Sequence, residues 1–350
     1  MKKIITSIVG TGRQANAWAD LLKQNGNFIL KNVLSRDQNR GLDFSNRHKC
    51  KFASNEKEIS QDREINLVII TSDPSRNILA VEMAKNKKNM ILEKPLSLNL
   101  DETNLIFSEC KKNNVICGAG LNRHYDTFFP TVEKYIQILG NCFHAEYKKY
   151  LKGNKNDEQF SLNKTKKNGG IFLGGLVHQF DQANKLFGQP SSLIATQFNS
   201  TSEGVVVDTN VLVKYKNKIS FNFSKKLDCE YNFGELMTLY CDKGIIEINF
   251  NIQKISAISN PLNTNYSRAI ISRFKSNLLQ RKKLMKFNKR KIFLSETFWQ
   301  GAQKNILENF IKAFNGQKDI DLVNIEHNYL STKMALACLD SIEKKNWVQI

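Results

Sequence analysis

The sequence predicts a two-part α/β chain. A doubly wound parallel sheet is expected over residues 1–122, and an α/β domain with a large, mostly antiparallel open sheet over residues 123–350. Three observations carry this. Short apolar runs alternate with helical periodicities through the first third of the chain. A glycine-rich turn, Gly10-Thr11-Gly12-Arg13-Gln14-Ala15, joins the first apolar run to the first helix. From residue 143 onward, strand-like runs follow one another across short turns.

Bulk composition agrees. A length of 350 residues suits about two domains, and 41% hydrophobic residues supply a core, which excludes a disordered chain. The seven cysteines are odd in number and contain no CxxC pair. Reduced, mostly buried thiols are therefore expected rather than a disulfide framework or a zinc site, and a cytoplasmic location fits. No stretch approaches the roughly 18 apolar residues of a membrane span. The net charge of +19 attracts anions in general.

In order, residues 4–9 read as a first strand and residues 13–24 as a helix with Ala15, Trp18, Ala19 and Leu22 on one face. The turn between them fits G-x-G-x-x-A. Gly10 permits the tight turn, Gly12 admits a pyrophosphate to the backbone, and Ala15 lets helix and strand pack closely. Gly10, Thr11, Gly12, Arg13 and Gln14 are thus candidate cofactor contacts at a helix N-terminus, and the domain reads as a dinucleotide-binding Rossmann unit. Residues 28–34 form the second strand, ending in Ser35-Arg36-Asp37. A hydroxyl followed by a guanidinium suits a 2′-phosphate, so NADP(H) is expected over NAD(H). Asp37 turned inward would instead read the ribose hydroxyls, and Arg36 is alternatively a solvated turn residue or stacks on the adenine. Residues 67–71 form a buried strand. Thr71, Ser72 and Pro74 stand at its carboxyl end, where open α/β sheets bind ligands. A helix over residues 78–85, a strand over 90–92, a helix over 100–113 and a strand over 115–118 complete the alternation.

The strand at 90–92 empties into Glu93-Lys94-Pro95-Leu96. With the loop at 10–15, Val68-Ile69-Ile70-Thr71 before Asp73-Pro74, the stretch GAGLNRHY from Gly118 to Tyr125, and Gly169-Gly170 leading to His178 and Asp181, the chain resembles the Gfo/Idh/MocA (glucose–fructose oxidoreductase/inositol dehydrogenase) family. That resemblance implies hydride transfer to or from a carbon of a sugar, cyclitol or sugar derivative, and a homodimer or homotetramer. Lys94 would hydrogen-bond the reacting oxygen, His178 would be the general acid/base, and Glu93 would hold the lysine and cofactor. These roles suit the residue types, since imidazole titrates near working pH and an ammonium stabilises developing alkoxide. Asn122 is placed on the cofactor side; Arg123, Tyr125 and Gly174 join Lys94 and His178 as substrate contacts. Arg123 and Tyr125 read equally well as part of a surface turn. One departure stands out. The family often has an acid four residues before this histidine, and here the position is Gly174, whose missing side chain cannot orient an imidazole. A catalytically silent nucleotide-binding or regulatory protein of the same fold is the alternative. Asp181, one turn beyond His178, either orients it or is structural.

In the second half, strands are expected over 143–151, 193–199, 205–215, 219–224, 235–241 and 245–250, with hairpin turns at Asn217-Lys218 and Asp242-Lys243-Gly244. Residues 296–314, with Ser295 as N-cap, and 326–344 read as helices, and residues 347–350 as a closing strand that follows the last helix. Residues 268–292 hold ten Lys/Arg and no acid. They read as a solvated surface insertion or, less simply, a contact with an anionic surface. Without an RNA- or DNA-binding motif, charge alone does not predict nucleic-acid binding.

Overall fold

The computed structural model describes residues 3–71, 77–152, 169–201, 204–259, 293–318 and 320–350. Ser72 and Pro74 and the basic stretch 268–292 lie outside them.

Six parallel strands build the first sheet: β1 (Ile4–Val9), β2 (Phe28–Leu34), β3 (Lys51–Ala53), β4 (Leu67–Ile70), β5 (Asn89–Leu92) and β6 (Cys117–Ala119), in the order β3-β2-β1-β4-β5-β6. All four residues of β4 are buried, as expected of a parallel strand covered on both faces. The cover includes α1 (Arg13–Gln24), α2 (Gln38–His48), the single turn α3 (Lys57–Ser60), α4 (Leu79–Lys85) and α5 (Leu100–Lys112). Helix α1 buries Ala15, Trp18, Ala19 and Leu22, the face anticipated from spacing. Strand order reverses between β1 and β4, which opens a crevice at their carboxyl ends.

A 3₁₀ turn (Asn122–Tyr125) and α6 (Phe129–Leu139) lead into the second sheet. Its strands are β7 (Cys142–Lys152), β8 (Pro190–Ser200), β9 (Val206–Tyr215), β10 (Ser220–Cys229), β11 (Gly234–Cys241), β12 (Gly244–Asn249), β13 (Lys254–Ser259), β14 (Phe293–Thr297) and β15 (Val348–Gln349). They are ordered β14-β13-β12-β11-β7-β10-β9-β8-β15. Among the described residues only β7 and β10 pair in parallel; the other pairings of this sheet are antiparallel. Burial alternates along β10 and β11, so one face carries the core and the other is wetter. The inner face is covered by a π-helical segment (Ile171–Leu176) running into α7 (Val177–Phe187).

The chain then returns to the first domain. Helix α8 (Gln303–Phe314) contributes Ile306, Leu307 and Phe310 to the cluster that holds Ile8, Trp18 and Ile91. Helix α9 (Ile325–Lys344) stacks Tyr329 on Phe107 of α5 with ring centroids 4.2 Å apart.

One expectation needs correcting. Ser295 and Glu296 do not open a helix; they lie in β14, opposite Ser256 and Ile255 of β13. Pairing along β13 overrides the local helical spacing, and the helix starts only after Gly301. Strands β13 and β14 were not anticipated as a pair because the long segment between them hides a non-local contact.

Candidate functional site

The dinucleotide end is built by the first crossover. Gly10 has φ 111°, a conformation that strains other residues, and its amide donates to Leu34 O at 2.9 Å. Gly12 is different. Its backbone is extended (φ −78°), and a Cβ placed there would meet no protein atom within 4 Å. Neither strain nor packing demands glycine at this point, so the open space above it is suited to a ligand. No side chain caps the N-terminus of α1, which leaves its first amides as donors for an anion. Thr71 closes the floor, its hydroxyl donating to Val9 O at 3.1 Å. At the end of β2, Asp37 accepts from the Arg40 amide at 3.1 Å and so serves as the N-cap of α2. Arg36 is exposed and makes no hydrogen bond or ion pair among the described residues. Ser35 is half-buried, 3.3 Å from the Asp37 amide. A dinucleotide therefore fits the residues present.

The turn after β5 carries Glu93 and Lys94, and the Lys94–Pro95 peptide is cis. Buried Asn77 donates to the carbonyls of Pro95 and Leu96, each at 2.9 Å, and the Leu96 amide donates to Thr332 Oγ1 of α9 at 3.0 Å. The turn is thereby held from both domains. Trp18 Nε1 donates to Glu93 Oε1 at 2.9 Å. Gly120 lets this carboxylate pack, since a Cβ there would fall 2.5 Å from Glu93 Oε2. The Lys94 ammonium donates to the carbonyl oxygen of Gly174 at 2.7 Å. The glycine that lacks an acid thus contributes its backbone instead, from within the π-helical segment.

Lys94 and His178 line one cleft of about 340 Å³, together with Gln14, Glu93, Gly120, Asn122, Gly301, Ala302 and Gln303. Gln14 accepts from Gln303 at 2.8 Å, and Asn122 donates to Gly301 O at 3.0 Å. Lys94 and Glu93 are partly accessible through the cleft yet enclosed by protein on the other sides. Burial pushes the Glu93 carboxyl up, against the pull of Trp18 and Lys94. Burial pushes the Lys94 ammonium down, with Glu93 opposing. His178 is held well below the ordinary imidazole range by burial and by Lys94, Arg123, Lys149 and Lys225, so it is neutral. Its Nδ1 is buried without a hydrogen-bond partner among the described residues.

The other anticipated contacts are placed elsewhere. Arg123 is engaged by carboxylates: its Nη1 bonds Glu235, its Nε lies 3.3 Å from Asp126 Oδ2, and its guanidinium sits 4.5 Å over the Phe250 ring. Gln179 fits with its amide oxygen on Arg123 Nη1 and its amide nitrogen on Gly175 O, both at 2.9 Å. Tyr125 donates to Asp321 O at 2.7 Å and accepts from the Val323 amide at 3.0 Å. Neither Arg123 nor Tyr125 lines the cleft. Asp181 does not orient His178; it accepts from or pairs with His124 Nδ1 at 2.9 Å.

Lys149, Lys225 and Glu235 were not anticipated. Lys149 bonds Glu235 Oε2 at 2.7 Å. Burial opposes the Glu235 charge, but Arg123 and Lys149 outweigh it and bring its carboxyl down to about 2. Burial dominates at Asp126 and pushes its carboxyl up to about 6. The one sequence signal was a charged residue at an inward position of an alternating strand, as at Lys225 between Phe223 and Leu227.

Both halves of the chain match the domain models of one known family. Residues 4–121 match an oxidoreductase family with an NAD-binding Rossmann fold, and residues 135–350 match that family's C-terminal alpha/beta domain. Myo-inositol 2-dehydrogenase of Thermotoga maritima is 24% identical over 250 residues, covering 68% of this chain and 73% of its own. Oxidoreductase P35 of Formosa agariphila is 27% identical over 288 residues, covering 75% and 85%. Among solved structures, the WlbA dehydrogenase of Bordetella pertussis, determined with NADH and UDP-GlcNAcA, superposes with a TM-score of 0.76 at 12% identity, covering 100% of this chain and 99% of that one. At that identity the likeness concerns the fold.

Proposed function

The chain belongs to the Gfo/Idh/MocA family of oxidoreductases, and from that premise we propose that it transfers a hydride between a nicotinamide cofactor, NADP(H) in preference to NAD(H), and a carbinol carbon of a sugar, cyclitol or sugar derivative. The observation that carries the reading is the meeting of Lys94 and His178, from different domains, in one cleft that reaches Gln14 of the glycine-rich turn. The chemistry supplied by a nicotinamide held there is hydride acceptance or donation. The chain's own residues handle the proton. Neutral His178 accepts it from the substrate hydroxyl, and Lys94 donates a hydrogen bond to the same oxygen as negative charge develops. Gly174 O holds the ammonium, and Glu93 favours its charge. The cofactor preference rests on Asp37, whose carboxylate is occupied at the helix cap, and on the guanidinium of Arg36, which has no partner among the described residues.

Titration with NADPH and NADH, followed by nicotinamide fluorescence, tests the cofactor half; tighter NADH binding overturns the NADP(H) preference, and binding of neither overturns the function. Lys94→Ala is expected to keep cofactor binding and lose about 10²–10³-fold in turnover; unchanged turnover removes Lys94 from the chemistry. A second reading, a silent nucleotide-binding protein, is favoured by His178 Nδ1, which has no partner among the described residues, and by Gly174 in place of an acid. It expects cofactor binding without turnover across a panel of sugars, sugar acids and cyclitols.

The same reading gives a homo-oligomer. Phe143 and Phe198 of the second sheet are 56% and 64% exposed, which suits a face covered by another copy. Light scattering of the purified chain tests this, and a monomer at micromolar concentration rejects it.

A further inference from the structure

Lys225 is a deeply buried cation with no counter-ion among the described residues. It lies on β10, is 3% exposed, and is flanked at two-residue spacing by the core side chains Phe223 and Leu227. Its register partner on β7 is Lys149, and the register partner of Lys149 on β11 is Glu235. Directly paired residues share a face of a sheet, so the three form one charged row on the inner face. Lys225 is not among the residues that line the cleft. Its row reaches that side through Glu235, Arg123 and Gln179, whose amide meets Gly175 O beside the Gly174 carbonyl held by Lys94. Lys94 and Lys225 both disfavour positive charge on His178.

Charge matching shows what the row lacks. Among the described residues, four cations (Lys94, Arg123, Lys149 and Lys225) stand against three carboxylates (Glu93, Asp126 and Glu235). Arg123 takes Asp126 and one oxygen of Glu235, and Lys149 takes the other oxygen. Lys94 has Glu93 beside it and Gly174 O in front. Lys225 makes no hydrogen bond or ion pair among the described residues. Burial, with Lys149 next, holds its ammonium well below the ordinary lysine range, against Glu235. Such a group is expensive to keep in a core, where an apolar residue would pack without penalty. The π-helical segment and α7, which bring Gly174 and His178, supply no acid to it: Asp181 is on His124. Among the described residues one positive charge is therefore left unmatched, on the sheet face covered by the π-helical segment and α7, for a ligand to match.

We infer that Lys225 receives a carboxylate carried by the substrate, which makes a sugar acid, rather than a neutral sugar or cyclitol, the preferred ligand of this cleft. The inference rests on the function proposed above and names its substrate class. A single unmatched charge favours a monoanion over a phosphate dianion.

Calorimetric titration of the full chain tests it, with matched pairs (glucuronate against glucose, galacturonate against galactose) and glucose 6-phosphate, in the presence and absence of NADPH. At least one acid is expected to bind about tenfold or more tightly than its neutral partner. Lys225→Met should erase that difference and Lys225→Arg retain part of it, with melting curves showing that both fold. If Lys225→Met does not fold, Lys225→Gln takes its place. Equal binding within both pairs, no binding of either acid, a preference that survives Lys225→Met, or tighter binding of glucose 6-phosphate overturns the inference. The cofactor-free titration separates the two claims. An acid preference without any NADPH or NADH binding sinks the oxidoreductase reading alone, whereas cofactor binding with no acid preference sinks only the role of Lys225.

Discussion

At the scale of single residues, Gly10 and Gly12 share a motif but not a reason. Gly10 is required by its backbone angle, whereas no described residue requires Gly12, since a side chain there meets only open space. Gly12→Val is therefore expected to leave the melting temperature within about 2 °C while weakening nicotinamide cofactor binding at least about tenfold. Fluorescence titration and calorimetry on the same preparation check both halves; unchanged affinity would mean that the cofactor does not approach this turn. His178 carries a pH consequence. Its folded pKa is depressed by burial first and by neighbouring cations after, so on acidification below about 6.5 the unfolded chain takes up a proton that the folded chain refuses. Stability should fall with pH in that window, and His178→Gln should flatten part of the slope in urea unfolding between pH 7 and pH 5. Some of this was legible residue by residue. Gly10, Gly12 and Glu93-Lys94-Pro95 are local patterns whose chemistry follows from order along the chain. Lys225 was not legible, because its importance depends on which strand lies beside β10, and register is not written locally. Helical spacing left two roles open for Asp181, and His124 from another element claims the carboxylate, which is the structural one.

At the scale of elements, the turn after β5 is positioned by two distant helices' worth of sequence. Asn77 holds its carbonyls just ahead of α4, and Thr332 of α9 accepts its Leu96 amide. Thr332→Val preserves shape but strands a buried amide, which costs about 1–3 kcal/mol. Unfolding midpoints in urea should register that loss, and turnover should fall with it because Lys94 sits on the loosened turn. A variant as stable as the parent would show that the bond contributes nothing. Strand alternation made most of the second sheet readable, including β7 to β12 and the hairpin at Asp242-Lys243. The β13–β14 pair was not, since a helical spacing near residue 296 competed with a partner strand more than thirty residues away.

At the scale of the molecule, the two sheets are joined by charge as well as by packing. His124 follows the first domain, pairs with Asp181 of α7, and faces Asp321 between α8 and α9 with Nε2 3.5 Å from Oδ1. Burial works against its charge, but the two carboxylates prevail and raise its pKa. The sign is opposite to that of His178: the contribution is fully present below about 6.5 and is lost as pH rises through the folded value. Asp181→Asn should therefore destabilise the protein more at pH 6 than at pH 9, as read by thermal unfolding. The return of α8 and α9 to the first domain has a consequence for recombination. Ile306, Leu307, Phe310 and Val323 belong to the core around Trp18 and Ile91, although they come from the far end of the chain. The cofactor-binding half is thus an interrupted module. A chimera that borrows only the first 122 residues from a relative inherits a lid cut for another surface, and a working graft needs two splice points, with the tail exchanged alongside the head.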